Sequence, residues 1–363
     1  MRIKKLQLNN FRNYETLDVE FSDGVNLLYG DNAQGKTNIL EAVFMAATTK
    51  SIRGSKDREM IRFGQEEAHI RVFTEKQDIP HKIDIHLKKN KKKGLAIDGI
   101  SIRRSAELLG LLHAISFSPD DLSMMKNGPE ERRRFLDLEL CQTDKIYCSN
   151  LADYNRTLMQ RNDLLKQIAT NPSLKNTISV WDLQLVKYGS YLIRARRKFI
   201  EEILPIVAEK HATLTEGKEA LKVLYEPNCS EEHFEEMLFQ SLERDTALKF
   251  TSVGPHRDDL SLFINGNNVR TYGSQGQQRT AALALKLAEI ELARKTIHDT
   301  PVLLLDDVLS ELDRNRQLQL LNEMQDVQTI VTCTGMEEFV ACRPEGNTIY
   351  RVSGNQIYSV YFS

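Results

Sequence analysis

The sequence lacks the features of a secreted or membrane-spanning protein. Its 363 residues include five cysteines, which show neither Cys-x-x-Cys spacing nor nearby histidines, so zinc sites and a disulfide framework are disfavoured. No apolar run is long enough to cross a membrane, and Met1–Leu6 alternates like a strand instead of forming the apolar block of a signal peptide. We therefore expect a soluble protein of the reducing cytoplasm with no membrane partner.

An excess of charge of one sign is also missing. The chain has 49 lysines and arginines against 51 aspartates and glutamates, for a net charge of -2. Any surface that binds nucleic acid must therefore be a local patch. The length allows one large domain or two ordinary ones, and no internal repeat or low-complexity tract is present.

The most specific motif is G-x-x-x-x-G-K-[ST], which residues 30–37 match in full. The apolar run Val25–Tyr29 before it is typical of a buried strand, and Thr37–Met45 after it has the apolar spacing of a helix. This is the strand-loop-helix context of a phosphate-binding loop, in which backbone N–H groups and the helix N-terminus bind phosphate. The sequence therefore predicts a nucleotide site, with Lys36 on the β- and γ-phosphates and the Thr37 hydroxyl on Mg²⁺.

A second apolar run, Pro301–Leu305, ends in two carboxylates. A continuously apolar run of this length indicates a buried parallel strand. Asp306 suits the Mg²⁺ shell next to Thr37, and Asp307 is placed to orient or deprotonate the attacking water. A strand that merely ends in solvated acids is the alternative interpretation.

The middle of the chain has helical periodicity. Apolar residues recur in steps of three and four through 178–199 and, interrupted at Arg161, through 147–168. Asn171–Ser173 between them is a helix breaker. We predict a short antiparallel coiled-coil hairpin with arms of about 35 Å, which serves either for packing or for binding DNA or a partner.

Strand character returns at Leu248–Val253, so the helical region is predicted to be an insertion. The expected domains are residues 1–110, the N-terminal part of an ATPase domain; residues 111–248, the inserted helical domain; and residues 249–363, the C-terminal part of the ATPase domain. Within the last part, a Gly-, Ser- and Gln-rich stretch at Tyr272–Thr280 opens a long helix, which is a weak signal for a second anion-binding helix N-terminus.

Three basic clusters are candidates for phosphate contacts: Lys88–Lys93, Arg103–Arg104 and Arg132–Arg134. The first is predicted at the tip of a β-hairpin. Lysines and arginines on such tips bind phosphates without reading sequence. A solvated face is the alternative for the lysine tip, and internal salt bridges are the alternative for Arg132–Arg134.

The order of the motifs resembles the ATP-binding-cassette heads of the SMC-like DNA-maintenance ATPases. Within them, the chain is most similar to the RecF family, and the similarity covers essentially the whole chain. The further stretches that carry it are Asn10–Tyr14, Phe117–Leu122, Arg132–Asp137 and Gly254–Asp259. The resemblance implies an α/β fold: an ABC-type ATPase head with the mixed sheet of P-loop NTPases and an inserted helical domain.

The resemblance also implies site residues. Ser274, Gln275 and Gly276 of a second subunit would close over the γ-phosphate, so hydrolysis would need a head-to-head dimer with Asp313 at its interface. Lys36 and Asp307 would complete the catalytic set, and Thr37 and Asp306 would hold Mg²⁺. The residues implied to contact ATP are Arg12, Asn13, Gly30, Asp31, Asn32, Ala33, Gln34, Gly35, Lys36, Thr37 and Asn38.

Three places depart from transporter-type cassettes. Ser116–Asp121 stands where those proteins have a glutamine, and Asp307 stands where they have a glutamate. Thr332–Thr334 stands where they have a histidine. The residue that senses the γ-phosphate is therefore unassigned, and a slow, switch-like ATPase is expected.

The implied function is that of an ATP-dependent DNA clamp with weak, DNA-stimulated ATPase activity. It would dimerise on ATP, bind duplex DNA near single-strand gaps without sequence specificity, and help load the recombinase in recombinational repair, replication restart and the SOS response, with RecR and RecO as partners. The alternative is an SMC-like structural tether. A GTPase is disfavoured because no Asn-Lys-x-Asp element occurs, and an ATPase-coupled nuclease because little chain follows the last predicted cassette strand.

Overall fold

The computed structural model describes residues 1–324, 326–335 and 347–360, without the side chains of Ser123, Glu323 and Asn347. The chain forms two compact units, which are described separately. The first unit consists of Met1–Leu122 and Leu285–Ser363, and the second of Ser123–Ala284. Residues 249–284 thus belong to the second compact unit, and the expected domain limits at residues 110 and 248 stay a prediction.

The strands of the described residues follow in chain order. They are β1 (Arg2–Phe11), β2 (Tyr14–Glu20), β3 (Val25–Tyr29), β4 (Glu67–Lys76), β5 (Ile79–Lys88), β6 (Gly94–Ile97), β7 (Ile100–Ile102), β8 (Ala114–Phe117), β9 (Leu221–Glu226), β10 (Asp259–Ile264), β11 (Asn267–Asn268), β12 (Val302–Asp306), β13 (Thr329–Cys333), β14 (Asn347–Ser353) and β15 (Gln356–Val360).

The α-helices of the described residues are α1 (Lys36–Thr48), α2 (Pro119–Ser123), α3 (Pro129–Thr143), α4 (Lys145–Ile168), α5 (Ser179–Leu214), α6 (Phe234–Leu248), α7 (Val269–Tyr272), α8 (Gln275–Ile297) and α9 (Arg314–Glu323). Short 3₁₀ turns are at Asp57–Glu59, Ser105–Glu107, Pro172–Thr177, Pro255–Arg257 and Leu309–Glu311.

The mixed sheet of the first unit positions the predicted nucleotide site. Its strand order is β15-β14-β3-β13-β12-β8, and all neighbours are parallel except the β14–β15 pair. Asp306 at the end of β12 pairs with Thr332 of β13, and Cys333 of β13 pairs with Tyr29 at the end of β3. Because parallel strands end at the same sheet edge, the phosphate loop after β3 and the carboxylates after β12 meet there.

The second sheet of the first unit is antiparallel, in the order β2-β1-β4-β5-β6-β7. Its inward residues are fully buried and apolar, as Ile3, Ile70 and Ile85 show, and its alternate residues are polar, which is the pattern of a sheet with one solvated face. Strands β5 and β6 pair from Ile83 with Ile97, which confirms the predicted hairpin with a lysine-rich tip.

Two long helices, α4 and α5, pack against each other in the second unit, and the predicted helix breaker at Asn171–Ser173 lies in the break between them, which contains a 3₁₀ turn at Pro172–Thr177. Arg161, which interrupts the apolar rhythm of α4, is fully buried and forms ion pairs with Asp182 of α5 and Asp245 of α6. A buried arginine of this kind is stable only because both carboxylates compensate its charge.

The predicted strand at Leu248–Val253 is wrong. Helix α6 runs through Leu248, and the following residues form no strand. Side chains bind their backbone amides instead: Asn162 Oδ1 accepts the N–H of Thr251 at 2.7 Å, and Asp245 Oδ1 accepts that of Ser252 at 3.1 Å. Leu248 and Phe250, which a half-buried strand would cover, are exposed, and the amides are satisfied without a neighbouring strand.

The arginine cluster and the Gly254–Asp259 stretch form internal contacts within the second unit. Arg132 is buried and donates two hydrogen bonds to the Asp259 carboxylate, at 2.6 and 2.9 Å. Asp258, also fully buried, accepts from Arg196 at 2.8 Å. Of the two explanations for Arg132–Arg134, the structure therefore supports the internal salt bridge for Arg132.

Candidate nucleotide-binding site

The phosphate loop needs glycine at two positions. Gly30 has a φ of 153°, and a Cβ there would lie 2.2 Å from the carbonyl oxygen of Val352 in β14. Gly35 has a φ of 99°, and a Cβ there would lie 2.5 Å from Nδ2 of Asn13 and 2.8 Å from the hydroxyl of Tyr14. Both backbone conformations are unfavourable for other residues, and both sites are sterically closed to a side chain. The loop is thus tightly enclosed by β14 and the β1–β2 turn.

Helix α1 begins at Lys36 in a manner suited to an anion. No side chain caps it, and no carboxylate lies in its first turn. No side chain therefore competes with a ligand oxygen for the N–H groups of Lys36 and Thr37. The buried ammonium of Lys36 donates to the carbonyl oxygens of Gly30 and, at 2.9 Å, of Asp31, so it lies within the loop itself.

Thr37, Asp306 and Thr332 form a hydrogen-bonded cluster beside the loop. The Thr37 hydroxyl donates to Oδ1 of Asp306 at 2.7 Å, and the Thr332 hydroxyl donates to the same oxygen at 2.8 Å. The two residues predicted to hold Mg²⁺ are therefore in direct contact. Thr332, which the sequence interpretation noted only as a substitute for histidine, orients the carboxylate between them.

Asp307 is held in an unusual backbone conformation. Its φ is 52°, in the left-handed region that non-glycine residues rarely adopt, and its N–H donates to the Thr332 hydroxyl at 3.0 Å. Strained backbone of this kind persists where surrounding structure enforces it, often at functional sites. Burial raises the pKa of the Asp307 carboxyl, with Lys36 opposing the shift and Asp306 adding to it.

Asn13 connects the loop to the turn of the last hairpin. Its Oδ1 accepts from the Asn38 side chain at 2.7 Å, and its Nδ2 donates to Oδ1 of Asn355. In addition, the Gly354 N–H donates to Oε1 of Gln34 at 2.8 Å. The β14–β15 turn thus contacts both the loop and its first helical turn. The sequence interpretation missed this pair of turn residues, although Gly-Asn between two alternating strands is a hairpin signal.

Arg12 is engaged by a buried carboxylate. Its guanidinium donates two hydrogen bonds to Glu41 of α1, at 2.7 and 2.9 Å, and further bonds to Ser55 Oγ at 2.8 Å and to the Glu59 carbonyl at 2.9 Å. Glu41 is fully buried. Arg12 therefore links β1, α1 and the segment that follows α1, and its predicted contact with the nucleotide stays a prediction.

Tyr14 places a hydroxyl group against the loop. The side chain is fully buried, and its Oη has no hydrogen-bond partner among the described residues. Burial raises the pKa of this phenol, so it stays a neutral donor. An unsatisfied buried donor beside Gly35 is energetically unfavourable without a ligand or water, which fits a site that takes an oxygen-rich ligand.

The predicted signature residues lie in the second unit, at the start of α8. Ser274, Gln275 and Gly276 are all exposed. The Ser274 hydroxyl accepts the N–H of Gln277 at 3.2 Å, and Oε1 of Gln277 accepts the N–H of Ser274 at 2.9 Å, which forms a capping box. Locally, then, Ser274 stabilises the helix start and presents a helix N-terminus to solvent.

Two further predicted segments have clear local roles. Asp313 caps α9 by accepting the N–H of Arg316 at 3.1 Å. In the segment that replaces the glutamine of transporter-type cassettes, the Asp121 carboxylate accepts from the Ser118 N–H and hydroxyl at 2.8 and 3.0 Å. Neither contact prevents a role at a dimer interface or near a nucleotide.

Metal ligation by the protein alone is not indicated within the described residues, where no group of three or more His, Cys, Asp or Glu side chains could hold an ion. No disulfide joins any two of the four described cysteines, and Cys342 lies outside the described residues. Thr37 and Asp306 supply two oxygen ligands, and Mg²⁺ commonly binds to one or two protein groups plus phosphate oxygens and water. The site therefore fits Mg²⁺ bound together with a nucleotide.

These features define the class of the protein. A phosphate loop after β3, paired carboxylates after the parallel strand β12 and an exposed Ser-Gln-Gly helix start in a separate helical unit belong to an ABC-type ATPase head. The family model for the RecF/RecN/SMC N-terminal domain matches residues 2–356. The chain belongs to the RecF family.

Curated relatives are similar over nearly their full length. The protein named DNA replication and repair protein RecF of Lachnoclostridium phytofermentans is 60% identical over 352 residues, which cover 97% of this chain and 98% of that protein. The protein of the same name from Agathobacter rectalis is 55% identical over 357 residues, covering 98% and 99% respectively.

Solved structures agree with the fold. A structure described as the recombination mediator protein RecF-ATPrS in the RecFOR pathway superimposes with a TM-score of 0.91 at 34% identity, covering 99% of this chain and 98% of that one. The Smc head domain of Pyrococcus furiosus has a TM-score of 0.57 at 17% identity, covering 99% of this chain and 96% of that one, which shows a shared fold. The predicted fold class is thus confirmed.

Among the described residues, the helices are too short or too polar to span a membrane.

Proposed function

We propose that the protein is an ATP-dependent DNA clamp that acts in recombinational repair. It binds ATP and Mg²⁺, dimerises head to head, holds duplex DNA near single-strand gaps and hydrolyses ATP slowly to release it. The observation that carries this proposal is the contact between Thr37 and Asp306, because it joins the phosphate loop to the carboxylate of a second strand. Similarity to RecF structures that carry ATP and ATPrS in their descriptions supports ATP as the ligand.

Each loop residue has a role in this mechanism. The N–H groups of residues 30–38 bind phosphate oxygens, and Lys36 moves its ammonium from the loop carbonyls to the β- and γ-phosphates. Bound Mg²⁺ would neutralise charge on these phosphates, held by Thr37 and Asp306. Asp307 accepts a hydrogen bond from the attacking water and orients it. Asn13 and Asn38, which are hydrogen-bonded to each other beside the loop, and Arg12 are assigned by family resemblance to contacts with phosphate or ribose.

Dimerisation completes the site. Ser274, Gln275 and Gly276 are exposed at a helix N-terminus, and such a terminus favours the negative charge of a γ-phosphate. Supplied by a second subunit, they close over the nucleotide held by Lys36 of the first. Asp313 of each subunit then lies at the interface between the two sites.

DNA is bound by lysines and arginines that the fold leaves exposed. The tip between β5 and β6 carries Lys91 and Lys92, which are exposed and form no ion pair with the described residues. Contacts of this type attach to the phosphate backbone, so recognition depends on DNA structure and not on base sequence. Binding near gaps, loading of the recombinase, RecR and RecO as partners, and roles in replication restart and the SOS response are proposed from the resemblance to the RecF family. A related structure described as a recombination mediator in the RecFOR pathway supports the general role.

The structural-tether alternative is less well supported. Helix α4 has 24 residues, which corresponds to an arm of about 36 Å. A tether that bridges distant DNA segments would need arms several times longer. The two helices suit a local contact surface better than a spacer.

The proposal is tested by ATP hydrolysis per subunit as a function of protein concentration, with and without gapped duplex DNA. A rate that rises with concentration and with DNA supports a dimeric, DNA-responsive site. Lys36→Ala should abolish this rate, and Lys295→Ala, which removes an exposed lysine paired with Glu291 on α8, should leave it unchanged. A rate independent of both variables would contradict the dimer mechanism.

A further inference from the structure

Phe63 is the most exposed of the large apolar side chains in the described residues. It lies on a tight turn, where the Gln65 N–H donates to the Arg62 carbonyl at 3.0 Å and Gly64 has a φ of 82°, as expected at the third position of a type II turn. The turn is anchored, since the Arg62 N–H donates to the Asn10 carbonyl at 2.8 Å. A fixed turn therefore presents a phenyl ring to solvent.

Two chain segments at this end of the β4–β5 pair are rich in basic residues. We name residues 50–67 and 88–93 the basic corner, and these segments contain ten lysines and arginines against four carboxylates, in a chain with a net charge of -2. The exposed cations without an ion pair to the described residues are Lys50, Arg53, Lys56, Arg58, Lys91 and Lys92. Single exposed apolar residues are common, but an aromatic ring within a cationic surface is the composition of a nucleic-acid platform.

Named contacts bring the two segments of the basic corner together. Glu67 at the start of β4 pairs with Lys88 at the end of β5, and the Lys89 N–H donates to the Glu66 carbonyl at 3.2 Å. The Lys93 ammonium lies 3.0 Å from the Asp57 carboxylate. The turn that carries Phe63, the 3₁₀ turn at Asp57–Glu59 and the lysine tip therefore form one continuous surface of the first unit.

We propose that Phe63 stacks on an unpaired nucleobase where single-stranded DNA meets a duplex, while the cations of the basic corner contact the adjoining phosphates. This inference rests on the proposed DNA-binding function and specifies what part of the DNA one residue recognises. Bases inside a duplex are covered by their neighbours on both sides, whereas an unpaired base at a junction offers its face to an exposed ring. Phosphate contacts alone do not distinguish a junction from a duplex, whereas stacking does.

The test uses the full-length protein with Mg²⁺ and a non-hydrolysable ATP analogue. Binding is measured to a blunt duplex and to the same duplex with a single-stranded tail, whose first unpaired base is 2-aminopurine. The variants are Phe63→Ala, Phe63→Trp and, as a matched control, Ile79→Ala, which removes an exposed apolar side chain at the opposite end of the β4–β5 hairpin.

Phe63→Ala should bind the tailed duplex with about tenfold lower affinity. Because the ring that stacks on 2-aminopurine is missing, binding of Phe63→Ala should leave the fluorescence of this base unchanged. Phe63→Ala should bind the blunt duplex with the affinity of the unmodified protein. Phe63→Trp should still bind the tailed duplex more tightly than the blunt one. Ile79→Ala should bind both DNAs like the unmodified protein. Equal losses on both DNAs, or none, would overturn the inference. So would unchanged DNA binding with a lost RecR interaction, which would assign Phe63 to a protein interface.

If the proposed DNA-clamp function is wrong, the same binding experiment gives a different result. If the unmodified protein binds neither DNA in the presence of the ATP analogue, the DNA-clamp function itself is wrong. If it binds both equally well and Lys91→Ala with Lys92→Ala weakens both, the basic corner contacts DNA and only the stacking by Phe63 is wrong.

Discussion

The hydroxyl of Thr37 donates a 2.7 Å hydrogen bond to Oδ1 of Asp306, although the two residues are 269 positions apart in the chain. Strand β13 lies between β3 and β12 in the parallel sheet, and its Thr332 holds the same carboxylate oxygen at 2.8 Å. The loop after β3 and the ends of β13 and β12 thus bring a hydroxyl and a carboxylate into contact, which supports the proposed Mg²⁺ site beside the phosphate loop.

Replacing Asp306 should separate metal binding from nucleotide binding. In Asp306→Asn, the affinity for a fluorescent ATP analogue should no longer rise when Mg²⁺ is added to an EDTA-treated sample, and hydrolysis should fall on the order of 100-fold. Asp78→Asn, on the exposed β4–β5 turn, is the control and should behave normally. Full Mg²⁺ dependence in Asp306→Asn would show that this carboxylate is not a ligand.

Asp307 should give the hydrolysis rate an acidic limb. Its pKa is raised by burial, so the carboxylate that orients water becomes protonated at a higher pH than an ordinary aspartate. The rate should therefore fall as the pH drops through this raised pKa. Asp307→Asn should lower the rate by about 10²- to 10³-fold and remove this limb, while ATP-dependent dimerisation persists. An unchanged pH profile in Asp307→Asn would assign the limb to another group.

The Arg12–Glu41 pair should act mainly on stability. Glu41 is fully buried, so Arg12→Ala leaves a carboxylate uncompensated and should lower the free energy of unfolding by about 3 kcal/mol. Adding Glu41→Gln should recover most of this loss, because the buried charge is removed. Thermal unfolding measures both, with Arg2→Ala at an exposed ion pair as the control. A double variant that is stable but binds ATP weakly would instead show that Arg12 contacts the nucleotide.

The second unit should lose stability in mild acid through His256. Its Nε2–H donates to the Thr251 carbonyl at 3.0 Å and its Nδ1 accepts from Tyr154, so the folded ring is neutral. Burial lowers the pKa of His256 from 6.5 to about 4.

Between these values only the unfolded chain binds the proton, so stability falls as the pH drops from 6.5 towards about 4, by up to about 3 kcal/mol. Unfolding measured across this range should show a shallower pH dependence in His256→Asn than in the unmodified protein. His298→Asn, at an exposed residue, should show the original dependence. Equal slopes in all three proteins would exclude His256 as the source.

The phosphate loop could be predicted from the sequence because its signal is local. Glycine spacing, the preceding apolar strand and the following helix are all contained in residues 25–45. The pairing of Thr37 with Asp306 followed from one additional rule, that a phosphate-loop threonine and an aspartate at the end of a buried strand share Mg²⁺ in such sites. The mixed sheet confirms both inferences.

Contacts that depend on long-range packing could not be predicted in the same way. Gly354 and Asn355 indicate a turn, but nothing in the sequence shows that β14 pairs with β3 and brings this turn to Gln34 and Asn13. Similarly, nothing in the sequence distinguishes Glu41 from an exposed helical glutamate, and only the structure shows its ion pair with Arg12. The wrong strand at Leu248–Val253 has the same origin, because side chains far along the chain satisfy its amides.

The most direct test of the account mixes two inactive variants. Lys36→Ala lacks the phosphate-loop lysine, and Ser274→Arg blocks the signature at the start of α8, so each should hydrolyse no ATP alone. In a mixed symmetric dimer, one site combines Lys36 of one subunit with Ser274 of the other and is intact. Mixing equal amounts should therefore restore about a quarter of the normal rate per subunit, since about half of the dimers are mixed and each has one working site. No recovery, from variants shown to be folded and to form mixed dimers with each other in the presence of ATP, would contradict a site shared between two subunits.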